Sequence, residues 1–222
     1  GAMLRMPGTP ASAAYVDESY AMARKGQLEL NLGANLVFSV LGGLVGVAVA
    51  AVLLAIAGPG FQQALNSNRL SSVANELTGA VQLARSEAVR ANRRVTLCSS
   101  DDGSACSDAT STWSGWILFV DTDGDGARDT STEPVVKGGS FDTPVVVRSS
   151  ANITAEGERI TFRGDGTARA SDNQTLLTGT LAVCVPTTQP AENVHDVSLA
   201  FGSRTAVRRR NGAGACGTPG DS

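Results

Sequence analysis

The 222-residue chain is poor in aromatic residues and has a single histidine, and both scarcities limit its chemistry. Aromatics make up 5% of the sequence, so its core must be built mainly from smaller aliphatic side chains. The lone histidine, His195, has no nucleophile motif near it, and we find no Gly-x-Ser-x-Gly, P-loop or His-Glu-x-x-His pattern. The sequence therefore favours a protein that is not an enzyme and that needs no cofactor.

Charge is missing from one long region, Leu30–Asn68. Within it, the apolar segment Leu36–Ala57 would form a helix about 33 Å long, enough to cross a bilayer. The apolar part of a cleaved secretion signal is shorter, roughly 7–15 residues. A buried core helix is the alternative, but such a helix is rarely apolar on every face. Because Arg24 and Lys25 precede the segment, we expect a single-pass inner-membrane protein with a cytoplasmic N-terminus and a periplasmic C-terminal domain.

Four cysteines follow the apolar segment, and an even number is typical of disulfides in an oxidising compartment. Cys98 and Cys106 are close in sequence and flank a polar loop, so we pair them, which leaves Cys184 with Cys216. Zinc is the alternative, but there is no Cys-x-x-Cys pair and only one histidine. We therefore predict two disulfides and no metal held by cysteine.

The chain is predicted to have three parts and an α+β fold. Residues 1–32 are a leader or cytoplasmic arm, and their first three residues look like an expression-vector scar. Residues 33–94 form a long helix, kinked near Pro59, whose second half has one apolar stripe. The stripe consists of Leu70, Val73, Leu77, Ala80, Ala84 and Ala88. Residues 95–222 form a periplasmic β-domain.

Six short β-type runs lie between turn residues in the β-domain. They are VTLC, WILFV, PVVV, RITF, TLAVCV and DVSLAF. An antiparallel sheet packed on the apolar stripe of the helix would bury one face of each. Trp113 and Trp116 flank the Cys98–Cys106 loop and begin the hairpin, and we expect them in the core or over a disulfide rather than on a ligand platform.

Three stretches carry a family resemblance. They are GPGFQQALNSNRLSSVANELTGAVQLARSEAVRANRRVTLC (58–98), WSGWILFVDTDGDGARD (113–129) and ITFRGDGTA (160–168). Together, and over about residues 36–216, the chain resembles type IV pilus minor pilins of the FimT/FimU type, related to the GspH pseudopilin. The resemblance implies a subunit that joins or primes a type IV pilus, with other pilins or pseudopilins as partners. A structural pseudopilin of a type II secretion system is the alternative.

The N-terminal processing site departs from that family. Family precursors are cleaved after a Gly that is followed by Phe-Thr-Leu-Ile-Glu. Counting back from Pro59 makes Phe38 the first mature residue, with Val37 in place of the Gly and Gly42 in place of the Glu. Gly26, which follows two basic residues, is the weaker candidate for cleavage.

An arginine cluster lies near the C-terminus of a chain whose net charge is −3. GSRTAVRRR (202–210) lies where FimT proteins carry a Gly-Arg-x-Arg motif implicated in DNA binding for natural transformation, and the match is partial. The resemblance implies sequence-independent binding of double-stranded DNA by Arg204, Arg208, Arg209 and Arg210. Contacts to acidic neighbouring subunits, or a solvated edge strand, are the alternatives.

An acidic stretch, DTDGDGARD, resembles the start of a calcium-binding loop. Asp121, Asp123, Asp125 and Asp129 stand at ligand positions, but position 12 is Thr132 and Glu133 comes one residue late. The alternative is a hairpin turn, since turns favour Asp and Gly. Calcium is therefore the weaker expectation.

Overall fold

The structure is a computed structural model that describes residues 20–21, 24–26, 28–107 and 111–221. The predicted leader lies mostly outside these residues, as does the vector scar. The chain divides into two compact units, Gly1–Gly60 and Phe61–Ser222. The predicted three-part division stays a prediction.

A single helix, α1 (Leu28–Ala91), is the longest element. It continues through Gly58-Pro59-Gly60, and the predicted kink at Pro59 stays a prediction. By length and composition, its Leu36–Ala91 portion includes a segment that could cross a membrane. Apolar side chains of this segment are exposed, with Phe38 at 72% and Leu54 at 73%.

The second half of α1 is amphipathic, as the sequence predicts. Leu70, Leu77 and Ala84 are fully buried, while Val73 lies at the margin of the core. The helix ends in a left-handed residue, Asn92, at φ 49°. The N–H groups of Asn92 and Arg93 donate to the carbonyls of Val89 and Ala88, a Schellman-type end that turns the chain into the first strand.

In the described residues, ten strands and one short helix follow α1. They are β1 (Arg94–Ser99), β2 (Thr112–Trp113), β3 (Gly115–Asp121), β4 (Val135–Ser140), β5 (Val146–Ser149), α2 (Ala151–Ala155), β6 (Arg159–Phe162), β7 (Ala168–Arg169), β8 (Gly179–Cys184), β9 (Val194–Ala200) and β10 (Arg204–Arg210). Sheet A has the order β4-β3-β1-β6-β7 and sheet B the order β10-β9-β8-β5-β2, and both are antiparallel.

One hydrophobic core unites the apolar stripe of α1 with the inner faces of both sheets. Leu97 and Phe162 contribute from sheet A, and Val183 and Val197 from sheet B. Two hydrogen bonds fix the helix to the sheets: Trp116 Nε1 donates to Glu76 Oε1 (2.9 Å), and Gln82 Nε2 donates to Thr205 Oγ1 (2.7 Å). Because side chains alternate along each strand, every second residue points away from this core, and these residues form the outer face of each sheet.

All six predicted strands are present, and the prediction of an α+β fold with a long helix packed on antiparallel sheet is confirmed. The expectation of one sheet was wrong, because the strands divide into two. Four strands were missed. Two of these, β2 and β7, have only two residues each, β4 contains Gly138 and Gly139, and β10 is rich in charge.

Candidate nucleic-acid interface

The arginine cluster forms β10, the edge strand of sheet B. All seven of its residues pair with β9, from Arg204 opposite Ala200 to Arg210 opposite Val194. Because side chains alternate along a strand, Arg204, Arg208 and Arg210 lie on one face and Arg209 on the other. The four predicted DNA-binding arginines are therefore not equivalent.

Contacts identify which face of sheet B lies against α1 and which face points outward. Thr205, on the same side as Arg209, accepts a hydrogen bond from Gln82 of α1. Val183 and Val197, which belong to the same side, are part of the core beneath the helix. Arg204, Arg208 and Arg210 thus lie on the outer face of sheet B, away from α1.

A fourth arginine joins this outer face from a distant part of the sequence. Pairing across β5, β8, β9 and β10 places Arg148, Ala182, Asp196 and Arg208 in one row. Ala182, between Arg148 and Asp196 in this row, is small, and Arg148 is half-buried. Sequence reasoning missed Arg148, because no local pattern relates it to β10. We call Arg148, Arg204, Arg208 and Arg210 the arginine face.

One acidic residue lies within the arginine face. Arg210 Nε donates to Asp196 Oδ2 at 2.6 Å, and Asp196 also pairs with Arg208 in the strand register. Among the described residues, Asp196 Oδ1 and Arg148 Nε are the buried side-chain polar atoms without a hydrogen-bond partner. The arginine face therefore has four guanidinium groups and one carboxylate, which pairs with Arg210, and it keeps an excess of positive charge.

Both ends of β10 are fixed. At its start, Ser203 Oγ accepts a hydrogen bond from the Ala168 N–H (2.7 Å), and the Ser203 carbonyl accepts one from Arg85 (3.3 Å). After its end, the disulfide Cys184–Cys216 ties the C-terminal segment to β8, and Gly212 N–H donates to Asn193 Oδ1 (2.7 Å). The arginines are therefore presented by a held strand rather than by a free tail.

The structure contains the two predicted disulfides, Cys98–Cys106 and Cys184–Cys216. Each belongs to a small apolar cluster on the outer side of a sheet. Cys98 packs with Ile117 and Phe119 in sheet A. Cys184 packs with Ala182 and Val194 in sheet B.

His195 is buried on the helix side of sheet B, opposite Arg209. Loss of hydration, followed by the nearby charge of Arg209, lowers the pKa of His195. The carboxylates of Glu192 and Asp196 oppose this shift. The neutral imidazole is therefore the form that the fold favours, which suits a structural histidine.

The acidic loop brings together a set of carboxylates that differs from the predicted one. Ligand oxygens of Asp121, Asp123 and Glu133 lie within 4.8 Å of one another, and this group contains neither Asp125 nor Asp129. Glu133 Oε2 accepts the Asp129 N–H (3.0 Å). Strand β4 follows the loop, where a calcium-binding helix–loop–helix would have a helix.

The carboxylates of this loop accept hydrogen bonds from the loop itself. Asp121 accepts from the N–H groups of Gly124 (2.6 Å) and Gly126 (3.1 Å), and burial, its largest influence, raises the Asp121 pKa. Asp123 and Asp125 each accept a hydrogen bond from the N–H group two residues later, as in Asx-turns. These hydrogen bonds explain the aspartates of the acidic loop as turn-forming residues. Calcium binding by the loop stays a prediction.

Both tryptophans are buried, as expected. Trp113 Nε1 donates to Glu158 Oε2 at 2.7 Å, and Trp116 Nε1 bonds Glu76 on α1. Gly26 lies in a turn two residues before α1, with a φ of 75°. Its role as a cleavage site stays a prediction.

Comparison with known proteins gives two family matches. The family model described as Type II transport protein GspH matches residues 73–215, more than half of the chain. A model described as Tripartite tricarboxylate transporter TctA family matches residues 1–81, less than half of the chain. No curated protein matches the chain.

Solved structures of similar proteins include two crystal forms of the type IV minor pilin FimU from Pseudomonas aeruginosa. They are 21% and 22% identical, with TM-scores of 0.46 and 0.44, and cover 64% and 63% of this chain and 90% and 92% of FimU. The minor pseudopilin EpsH from the type 2 secretion system of Vibrio cholerae is 10% identical, with a TM-score of 0.42. That match covers 64% of this chain and 97% of EpsH.

Proposed function

The chain belongs to the GspH family and is a minor pilin or pseudopilin, and from this premise we propose that it joins or primes a type IV pilus. The family is one of structural proteins rather than enzymes. Its partners in assembly are other pilins or pseudopilins. The observation that supports assembly is the long exposed apolar surface of α1.

That apolar surface needs a covering in water. Leu36, Phe38, Leu44 and Leu54 are among many apolar side chains that are more than half exposed. Burial of such side chains contributes roughly 1.5–3 kcal/mol each, so the segment is stable in lipid or packed against other helices. The protein would wait in the inner membrane, with its disulfide-containing domain in the periplasm, and would enter the filament through α1.

We further propose that the arginine face binds the backbone of double-stranded DNA, without sequence preference. Four arginines against one aspartate give the face a positive charge, although the whole chain carries −3. A seven-residue strand extends for about 20 Å, a length over which each DNA strand presents about six phosphates. Arg204 and Arg208 are exposed and therefore available for such contacts.

Adjacent arginines provide a matched test of this proposal. The full chain in nonionic detergent would be titrated against a labelled DNA duplex at low salt, alongside Arg208→Gln and Arg209→Gln. Both variants lose one positive charge from neighbouring positions on opposite faces. We expect Arg208→Gln to weaken binding several-fold and Arg209→Gln to change it far less. Equal effects would show that total charge, not the arginine face, attracts DNA.

A structural pseudopilin of type II secretion is the second candidate, and the description of the matched family favours it. This candidate predicts no affinity of the wild-type chain for DNA even at low salt. The arginine face would then contact acidic residues of a neighbouring subunit. In that case, Arg208→Gln should reduce incorporation into filaments, whereas DNA should not compete with assembly.

A further inference from the structure

A second group of arginines surrounds a cleft on sheet A. Arg94, Arg159, Arg163 and Arg169 come from the adjacent strands β1, β6 and β7 or from the residue after β6. They lie on the outer face, because the neighbouring residues Val95, Phe162 and Ala168 point into the core. The cleft between them has a volume of about 200 Å³. We call it the arginine cleft.

Backbone carbonyls of the acidic loop hold two of these guanidinium groups. Arg94 Nη1 donates to the Gly124 carbonyl (2.5 Å), and Arg159 Nη1 donates to the Gly126 carbonyl (2.9 Å). A Cβ atom at Gly124 would lie 2.3 Å from Arg94 Nη1, so glycine is needed for this close approach. Because the acceptors are neutral, both arginines are positioned while their positive charge remains.

The other two arginines, Arg169 and Arg163, differ in whether their side chains have partners. Arg169 donates to Thr167 and to the Gln174 carbonyl and forms a 3.4 Å ion pair with Asp165, which is half-exposed. Within the described part of the chain, the Arg163 guanidinium makes no hydrogen bond or ion pair. Its five N–H donors are therefore available to a ligand in the cleft.

Three carboxylates also line the cleft, but they are occupied by main-chain donors. Asp121 accepts two loop N–H groups, and Asp125 accepts the Ala127 N–H (2.7 Å). Glu156 Oε2 accepts the Ser171 N–H (2.7 Å). No ion pair joins these three to the arginines of the cleft among the described residues. The lining residues carry one net positive charge, which Asp165 offsets through its ion pair with Arg169.

We propose that the arginine cleft binds the oxyanion of a phosphate group. Guanidinium groups match phosphate in geometry, since each can present two parallel N–H donors to two oxygens. Arg94 and Arg159 are held by loop carbonyls and Arg169 by Thr167, Gln174 and Asp165, so three of the four guanidinium groups are positioned before a ligand arrives. The bound phosphate group would belong either to a free phosphate or phosphate ester or to the backbone of a nucleic acid. This site is separate from the arginine face, which lies on the other sheet.

The experiment uses the full chain in nonionic detergent and inorganic phosphate as the probe, with chloride keeping ionic strength constant. We expect phosphate to raise the melting temperature of the wild type. Arg163→Gln should weaken phosphate binding about tenfold, as loss of one charge-assisted contact predicts, and Arg163→Lys should weaken it less. Arg209→Gln, on the helix side of sheet B and in neither arginine site, should leave phosphate binding unchanged.

A second arm uses a DNA duplex and a third uses poly-glutamate. If the duplex binds but phosphate does not, and Arg163→Gln weakens the duplex, the source is the nucleic-acid backbone. If Arg208→Gln alone weakens the duplex while Arg163→Gln abolishes the phosphate effect, the two sites are independent. The proposal is overturned if Arg163→Gln changes neither ligand, or if it weakens only poly-glutamate, which would indicate a carboxylate-bearing neighbouring subunit.

Discussion

The outer faces of the two sheets both carry arginines, yet they are built in different ways. The arginine face of sheet B takes three of its four members from one exposed edge strand. The arginine cleft of sheet A collects its members from three strands and the residue after β6, and fixes two of them, Arg94 and Arg159, to loop carbonyls. An open strand suits a long, uniform ligand, whereas a cleft suits a single group. We therefore expect the shape of the surface around the arginines to determine which kind of anion each site binds.

The largest expected effect concerns the side chain that joins the two sheets. Glu158, just before β6, accepts hydrogen bonds from the Ser111 N–H (3.1 Å), Trp113 Nε1 (2.7 Å) and Ser149 Oγ (2.5 Å). Glu158→Ala would leave these donors unsatisfied and should lower the unfolding free energy by roughly 3–5 kcal/mol. Denaturant unfolding of the full chain measures this loss.

The matched control for Glu158 is Glu87 of α1, a partly buried glutamate whose partner is at the surface. Glu87 pairs with the exposed Arg90 one helical turn away. Glu87→Ala should cost less than about 1 kcal/mol, as surface ion pairs do. If both alanine variants lost similar stability, Glu158 would not connect the sheets as described.

The next largest effect distinguishes the two disulfides. Cys184–Cys216 closes a separation of 32 residues and Cys98–Cys106 one of 8. On the chain-entropy model, replacing each pair by serine should cost about 4 and about 2.5 kcal/mol, respectively. DNA affinity should fall only with the first pair, because that bond fixes the segment after β10. A larger loss of affinity on removing Cys98–Cys106 would contradict this assignment.

A smaller effect separates two glycines with similar backbone angles. Gly124, at φ 84°, lies against Arg94 beside the cleft, while Gly202, at φ 75°, has open space around it in the β9–β10 turn. Gly202→Ala should cost about 1 kcal/mol for the left-handed conformation alone. Gly124→Ala should cost about 1 kcal/mol more, because it also displaces Arg94 from its carbonyl. Equal losses in thermal unfolding would argue against a built cleft.

The smallest expected effect is a dependence of folding stability on pH, caused by His195 in sheet B. Because burial lowers the pKa of His195 in the fold, the unfolded chain binds this proton first as the pH falls. The contribution to stability is unchanged well above about pH 6.5 and declines below it, toward the lower pKa of the folded state. His195→Gln should remove this decline. Arg209→Gln should reduce it, since the charge of Arg209 also lowers the His195 pKa.

Local patterns in the sequence predict much of this molecule. The apolar stripe from Leu70 to Ala88, six strands and both disulfide pairs depend on periodicity or on cysteine spacing, which neighbouring residues reveal. Three contiguous arginines mark the position of a basic site, although β10, the strand that carries them, was missed. Strands such as β7 are too short to show a pattern, and their pairing depends on the tertiary fold.

The composition of both basic sites could not be predicted in full. Arg148 joins the arginine face only through the pairing of four strands, and Arg94 meets Arg169 only across β6. Glu133 joins Asp121 although it is one residue late for a calcium loop, because the chain between them follows its own turns. Long-range pairing sets these contacts, and no local pattern encodes it.

The central claim is that the arginine face binds DNA phosphates, and the salt dependence of binding tests it most directly. Affinity for a duplex would be measured over a range of salt concentrations for the wild type, Arg204→Gln/Arg208→Gln and Arg209→Gln. We expect the slope of log affinity against log salt to fall by about two for the double variant and to stay nearly unchanged for Arg209→Gln. The same slope for all three proteins, or no binding at low salt, would contradict the claim.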